Sequence, residues 1–186
     1  IAELEERGFG PAMMIIDSIF DCAGVHTPGP EYQQAVYAKV RAAGGLVVAD
    51  EVQSGLTRLG DHYWGFMDSG VVPDIVTMGK PMGDGHPLAA VVTTPEIAAD
   101  FARETHYFNT FGGNPVSAAV GRKVLEIVAR DKLIDKVRAT GDYLVAGLRR
   151  GTPPWPFPGP GRSRPAPATR LAWLRPRSGH CHQHKG

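Results

Sequence analysis

The stretch DIVTMGKPMGDGHPLAAVV, residues 74–92, decides how the rest of the chain reads. Its first five residues have the short apolar character of a buried strand, and residues 88–93 read as another. Between them Lys80 stands at a strand end among Gly79, Gly83 and Gly85. Those glycines free the backbone near a ligand, and their spacing fits no phosphate-binding fingerprint. Upstream, residues 46–49 form a similar apolar run that ends at Asp50, in the turn ADEVQSG. Chemistry-bearing residues at strand ends are the mark of an α/β protein.

Working outward, the hydrophobic periods alternate. Residues 12–16 are a short apolar run, and residues 31–43 read as a helix with Tyr32, Val36 and Val40 on one face, ended by Gly44 and Gly45. Thr94-Pro95-Glu96 and Asn114-Pro115 each predict a helix start, a capping side chain followed by proline at the first helical position. The second opens a helix carrying Val116, Val120, Val124, Ile127 and Val128, and a further helix runs from Leu133 to about Leu148. There are no internal repeats.

With 186 residues and 42% hydrophobic content, the chain has enough apolar material for a core. No apolar stretch reaches membrane-span length, and the first residues, IAELEERGFG, lack the basic start and apolar centre of a signal peptide. The expected compartment is the cytoplasm. Cys22 and Cys181 have no paired metal-ligand spacing and are too few for a disulfide framework, which suits a reducing environment and predicts no metal. The net charge of +1 divides unevenly: residues 151–186 carry six Lys or Arg and no acid, leaving 14 basic against 19 acidic residues in 1–150, a net of −5. An acidic body gives no reason to expect nucleic acid as a partner.

The same boundary changes the texture of the sequence. Residues 151–186, GTPPWPFPGPGRSRPAPATRLAWLRPRSGHCHQHKG, hold eight of the 16 prolines and no sustained period, so they are expected to be disordered. Three readings compete for this segment. They are a Pro/Arg-rich interaction tail, a loose metal-binding end using His180, His182 and His184, and translation out of frame in a GC-rich gene. The last is favoured by the abrupt loss of acids. The metal reading is weakened because nothing would fix the ligand geometry.

A lysine in an apolar strand-loop setting, with an aspartate from a neighbouring strand end, is what an enzyme needs to hold pyridoxal 5'-phosphate as a Schiff base. Three ordered blocks carry a matching resemblance: DEVQSGLTRLGDHYWGF (50–66), VPDIVTMGKPMGDGHPLAAVVTT (72–94) and YFNTFGGNPVSAAVG (107–121). Together they resemble class III pyridoxal-phosphate-dependent aminotransferases. Their wording is nearest the branch of alanine–glyoxylate aminotransferase-like proteins and of phospho-lyases acting on ethanolamine phosphate or phosphohydroxylysine. The resemblance covers residues 10–150. It implies a fold type I, three-layer α/β/α arrangement, incomplete here, with residues 1–150 as part of the cofactor-binding large domain.

What the resemblance implies can be placed residue by residue. Lys80 matches the Schiff-base lysine, which also shuttles a proton; on its own it would read as a solvated loop lysine. Asp50 matches the carboxylate that keeps the pyridine nitrogen protonated, and otherwise a turn-capping aspartate. Val52 resembles the residue packed on one ring face, and Gln53 the partner of the ring hydroxyl. Thr110 resembles the threonine that reaches a cofactor phosphate across a homodimer interface, helped by the turn Phe111-Gly112-Gly113. Where much of the family has glutamate then proline after the early strand, this chain has Asp17-Ser18, so the carboxylate that would steer substrate is the shorter one of Asp17.

The main phosphate-cradling turn and a second ring-face aromatic of the family precede this stretch, and an arginine for the substrate carboxylate follows it. The chain therefore reads as the middle of a larger enzyme. The implied activity is transfer of an amino group from an amine or amino acid to a keto acid. The alternatives are a phospho-lyase on a phosphorylated amine, or an inactive remnant.

Overall fold

The structure, a computed structural model, describes residues 1–22, 24 and 28–150. The expectations for residues 151–186, with Cys181 and the three histidines, lie outside the described residues. Four strands form one sheet in the spatial order β1 (Met13–Asp17), β2 (Leu46–Asp50), β3 (Ile75–Met78), β4 (Ala90–Thr93). The first three run parallel and β4 runs antiparallel to β3. Strand β2 is central, and its Val47, Val48 and Ala49 are buried, which is why it reads as a continuous apolar run without alternation.

Register places the functional end of the sheet. Asp17 lies beside Asp50, and Asp50 beside Thr77, so these three side chains share one face at the carboxyl ends of the parallel strands. The other face carries Ile16 and Val47, which form the core cluster with Tyr37 and Val40 of α2 (Pro30–Ala42). A five-residue helix, α1 (Ala2–Glu6), precedes the sheet and buries none of its residues. On the Asp50 face, Met13, Ile15 and Val91 are more than half exposed. The described residues therefore supply the sheet and one helical layer upon it, the incomplete form of the expected α/β architecture.

Helix α2 ends as expected. Gly44 has φ +81°, and the N–H groups of Gly45 and Gly44 donate to the carbonyls of Val40 and Arg41, closing a Schellman motif. Its buried line is the expected one in part. Val40 is buried and Val36 packs against the core, but Gln33 and Tyr37 are buried with them, whereas Tyr32 is 46% exposed and meets the edge of Phe20, with ring centroids 5.8 Å apart. The helix is rotated so that the Gln33 amide donates to the Ser18 carbonyl at 3.0 Å, which pins its first turns to the loop after β1.

Two strands are shorter than expected, for local reasons. Asp74 stays outside β3 because its carboxylate accepts the Val47 N–H at 2.8 Å and pairs with Arg41 at 2.8 Å. Leu88 stays outside β4 because it turns toward α4 (Pro115–Arg130), where a Cβ on Gly121 would come within 2.5 Å of the Leu88 Cδ2. The caps are as expected. Thr94 Oγ1 accepts the Ile97 N–H to open α3 (Pro95–Glu104), and Asn114 Oδ1 accepts the Ser117 N–H at 2.9 Å to open α4. In α4 it is Ser117 and Gly121 that are buried, while Val116, Val120, Val124 and Ile127 line an open cleft of about 660 Å³. Helix α5 (Leu133–Arg149) packs against α4.

Asp74 supplies a pH test. Burial alone would raise its pKa, but the Arg41 guanidinium and the Val47 N–H outweigh it and hold the carboxyl below its ordinary value. A depressed folded-state pKa gives stability that is present above the unfolded pKa and lost as pH falls through the folded one. Asp74→Asn is expected to be less stable than the parent at pH 7 and to converge with it below about pH 4. Urea midpoints measured against pH check this; a constant gap between the two proteins down to low pH would refute it.

Candidate active site

Asp50 closes β2 with its carboxylate already oriented. Its Oδ1 accepts the Val52 N–H at 3.0 Å and the Thr77 hydroxyl at 3.4 Å, and no hydrogen bond from the described residues engages Oδ2. The Glu51 N–H donates to the Thr77 carbonyl at 2.8 Å, carrying the β2–β3 ladder one residue past Asp50. Strand β3 ends at Met78, and the chain turns through Gly79 into a 3₁₀ turn, Lys80–Gly83, held by Met82 N–H to the Gly79 carbonyl at 2.7 Å. Lys80 opens that turn and is exposed. A Cβ on Gly79 would lie 3.7 Å from the Val52 Cγ2, so Val52 packs against the backbone that leads into Lys80. Asp50, Val52 and Lys80 are thus gathered at two adjoining strand ends.

The loop after β1 adds Asp21, a group the sequence does not single out, beside the expected Asp17. The Asp17 carboxylate folds back on its own loop, accepting the N–H groups of Ile19 at 3.1 Å and Asp21 at 3.0 Å. Burial and then the nearby Asp21 raise the Asp17 pKa, while the hydrogen bond to Asp17 and the field of Lys80 lower that of Asp21. Asp21 therefore stands within electrostatic range of Lys80. The Cys22 thiol is made less acidic chiefly by Asp21, while the nearby Gln53 side chain acts the other way, which sets Gln53 at the same rim. Asp17, Asp21 and Cys22 offer ligand atoms within 4.8 Å of one another, a grouping common in acidic loops without an ion. The signal available in the sequence is the four-residue spacing of Asp17 and Asp21 after a strand.

Thr110 is not brought to this group. It lies in the exposed connection between α3 and α4, where Asn109 Oδ1 accepts the N–H groups of Phe111 and Gly112 and fixes the glycine turn locally. One contact does join the two regions. His86, just past the Lys80 turn, meets Ser117 Oγ in the first turn of α4 at 2.8 Å, and Ser117 also receives the Asn114 side-chain amide at 3.0 Å.

The donor set suits pyridoxal phosphate at the ring end. A carboxylate oxygen is open for a protonated ring nitrogen, an aliphatic side chain stands beside it, and a primary amine begins the adjoining turn. The phosphate end has only the remote Thr110 turn among the described residues. A family model for class-III aminotransferases matches residues 10–154. The chain belongs to the class-III aminotransferase family.

Enzymes of this class-III aminotransferase family depend on pyridoxal phosphate. The alanine–glyoxylate aminotransferase 2-like protein of Drosophila melanogaster is 50% identical over 145 residues, covering 77% of this chain and 29% of that protein. The mitochondrial alanine–glyoxylate aminotransferase 2 of Homo sapiens is 48% identical over 114 residues, covering 61% and 22%. Among solved structures, a phospholyase from Arthrobacter in complex with phosphoethanolamine superposes with a TM-score of 0.77 at 45% identity, covering 81% of this chain and 36% of that one. The chain thus spans 22–36% of the length of these three relatives. Among the described residues no helix is long and apolar enough to cross a membrane.

Proposed function

We propose that this chain carries the pyridoxal-phosphate site of an aminotransferase, with Lys80 as the covalent anchor and Asp50 as the partner of the ring nitrogen. The observation that supports it most is that Asp50 and Lys80 follow the ends of adjacent parallel strands, with Val52 packed against the Gly79 backbone that leads into Lys80. When bound, the cofactor supplies an electron-withdrawing ring through which an amino group passes between an amine or amino acid and a keto acid. The Lys80 Nζ holds the cofactor and carries a proton to and from the substrate carbon. Asp50, steadied at Oδ1, keeps Oδ2 for the ring nitrogen and its proton. Val52 offers its methyl groups to a ring face, and Gln53 its amide to the ring hydroxyl.

Asp17 steers the substrate from the neighbouring strand end, and Thr110 donates its hydroxyl to the phosphate of a second subunit. Residues 1–150 are then part of a large cofactor-binding domain in a homodimer. The free thiol of Cys22 suits a reducing compartment such as the cytoplasm.

The likeness to the Arthrobacter phospholyase favours a second reading, in which Lys80 moves a proton in the same site and phosphate leaves the β carbon of a phosphorylated amine. One assay separates the two. The chain is given pyridoxal phosphate, then either an amine with a keto acid or phosphoethanolamine alone, and transferred amine and inorganic phosphate are measured. Amino transfer that requires the keto acid supports the aminotransferase, and phosphate release without a keto acid supports the lyase. Neither product, together with no borohydride-stable label on Lys80, would overturn both.

A further inference from the structure

We propose that Glu51, the neighbour of Asp50, is the positioning residue of this site, its carboxylate locking the turn that presents Asp50, Val52 and Gln53. The proposal rests on the assignment of Asp50 and Lys80 to the cofactor. Strand alternation sends Asp50 to the open face and Glu51 to the opposite side, where it is fully buried. Its Oε1 accepts the Ser18 hydroxyl at 2.6 Å and the Phe66 N–H at 2.8 Å. Its Oε2 accepts the Ser54 hydroxyl at 2.7 Å and the Gly65 N–H at 2.6 Å. Four donors on four acceptor positions leave a buried carboxylate fully satisfied.

Those donors come from three places in the chain. Ser18 follows β1, Ser54 lies in the turn itself, and Gly65 and Phe66 open the 3₁₀ turn Gly65–Asp68. The clamp is tight: a Cβ on Gly65 would come within 2.5 Å of the Ser54 Cβ and 2.9 Å of the Ser18 Cβ. A Cβ on Gly55 would lie 2.7 Å from the Glu51 carbonyl oxygen, so the turn has no slack on its own side either. Ser18, standing where much of the resembled family has proline, gains a role as a clamp donor.

Glutamine is the discriminating substitution. In Glu51→Gln the side chain keeps its size, but whichever way the amide turns, its NH₂ faces the N–H of Gly65 or of Phe66, and neither can accept. The serine hydroxyls can rotate to accept, and the backbone donors cannot. One buried N–H is left unpaired, and the turn loosens at the residues next to Asp50.

The test uses the full 186-residue chain, with Val47→Ala as a core variant that leaves the clamp untouched. Amide hydrogen exchange is followed without cofactor, and pyridoxal phosphate is then titrated by its visible absorption. Glu51→Gln is expected to speed exchange at Val52, Gly55, Gly65 and Phe66 relative to Val48, and to weaken cofactor binding about tenfold. Val47→Ala is expected to speed exchange across the sheet and to weaken binding less. If Glu51→Gln does not fold, Ser54→Ala removes one donor and is expected to give the same pattern, weaker. Uniform exchange, or parental cofactor affinity in the glutamine variant, overturns the positioning role alone. A parent chain that takes up no pyridoxal phosphate overturns the cofactor assignment, and the positioning role with it.

Discussion

Lys80→Ala is expected to abolish borohydride-trapped attachment of pyridoxal phosphate and any amino-transfer or phosphate-releasing activity, while leaving the fold intact. The two halves of this expectation have separate reasons. Chemically, among the described residues Lys80 is the primary amine that stands at the strand-end group of Asp50, Val52 and Asp21, and an alanine side chain cannot form the covalent link. Structurally, Lys80 is exposed and opens a short 3₁₀ turn whose closing bond is the backbone contact from Met82 to Gly79, so an alanine there removes no buried contact. The loss of activity is the whole of the catalysed rate. Peptide mapping after reduction is the check, with circular dichroism alongside. Label retained in the alanine variant, or spread over surface lysines in the parent, would show that the anchor is elsewhere.

Tyr37→Ala has the largest expected effect on stability. Tyr37 is 1% exposed and is the largest side chain of the core cluster, filling the space between α2 and the sheet beside Ile16, Val40 and Val47. Truncating a buried aromatic to alanine costs about 3–5 kcal/mol, a large part of the roughly 5–15 kcal/mol that holds a typical domain together. A fall in the unfolding midpoint of roughly 10 °C is therefore expected, if the variant folds at all. Burial, then the neighbouring Glu51, pushes the Tyr37 hydroxyl up to about 12, so the phenol stays neutral throughout the range in which the protein is handled. Tyr37→Phe keeps the ring and is expected to cost no more than about 1.5 kcal/mol. Val72→Ala, at a side chain 75% exposed, is the surface comparison. Equal effects of Tyr37→Ala and Val72→Ala would mean that the core is not where the structure puts it.

The sequence by itself determined whatever depends on near neighbours. The alternation of apolar runs and helical periods is local, and it determined the α/β class. Asn114-Pro115 and Thr94-Pro95 start helices where expected, because capping is decided within four residues. Asp50 and Lys80 could be assigned to strand ends because each closes an apolar run. The family blocks supplied the chemistry proposed for those two residues.

Only the tertiary structure decided what depends on two distant segments meeting. The helix period allowed α2 to bury either Tyr32 or Tyr37, and docking on Ser18 and the sheet selected Tyr37. The valine stripe of α4 was legible as a stripe, but its glycine and serine side packs against Leu88 and His86, which leaves the valines on an open cleft. Asp17 came beside Asp50, and Asp50 beside Thr77, through strand register, which no single strand encodes. Asp50 and Glu51 are adjacent acids that the sequence cannot rank. Strand alternation sends them to opposite sides, and the buried one is set by four donors arriving from segments up to 33 residues away. The physical reason is range: dihedral preferences and capping act over a few residues, whereas desolvation and hydrogen-bond satisfaction of a buried charge are settled by whatever the whole fold brings to it.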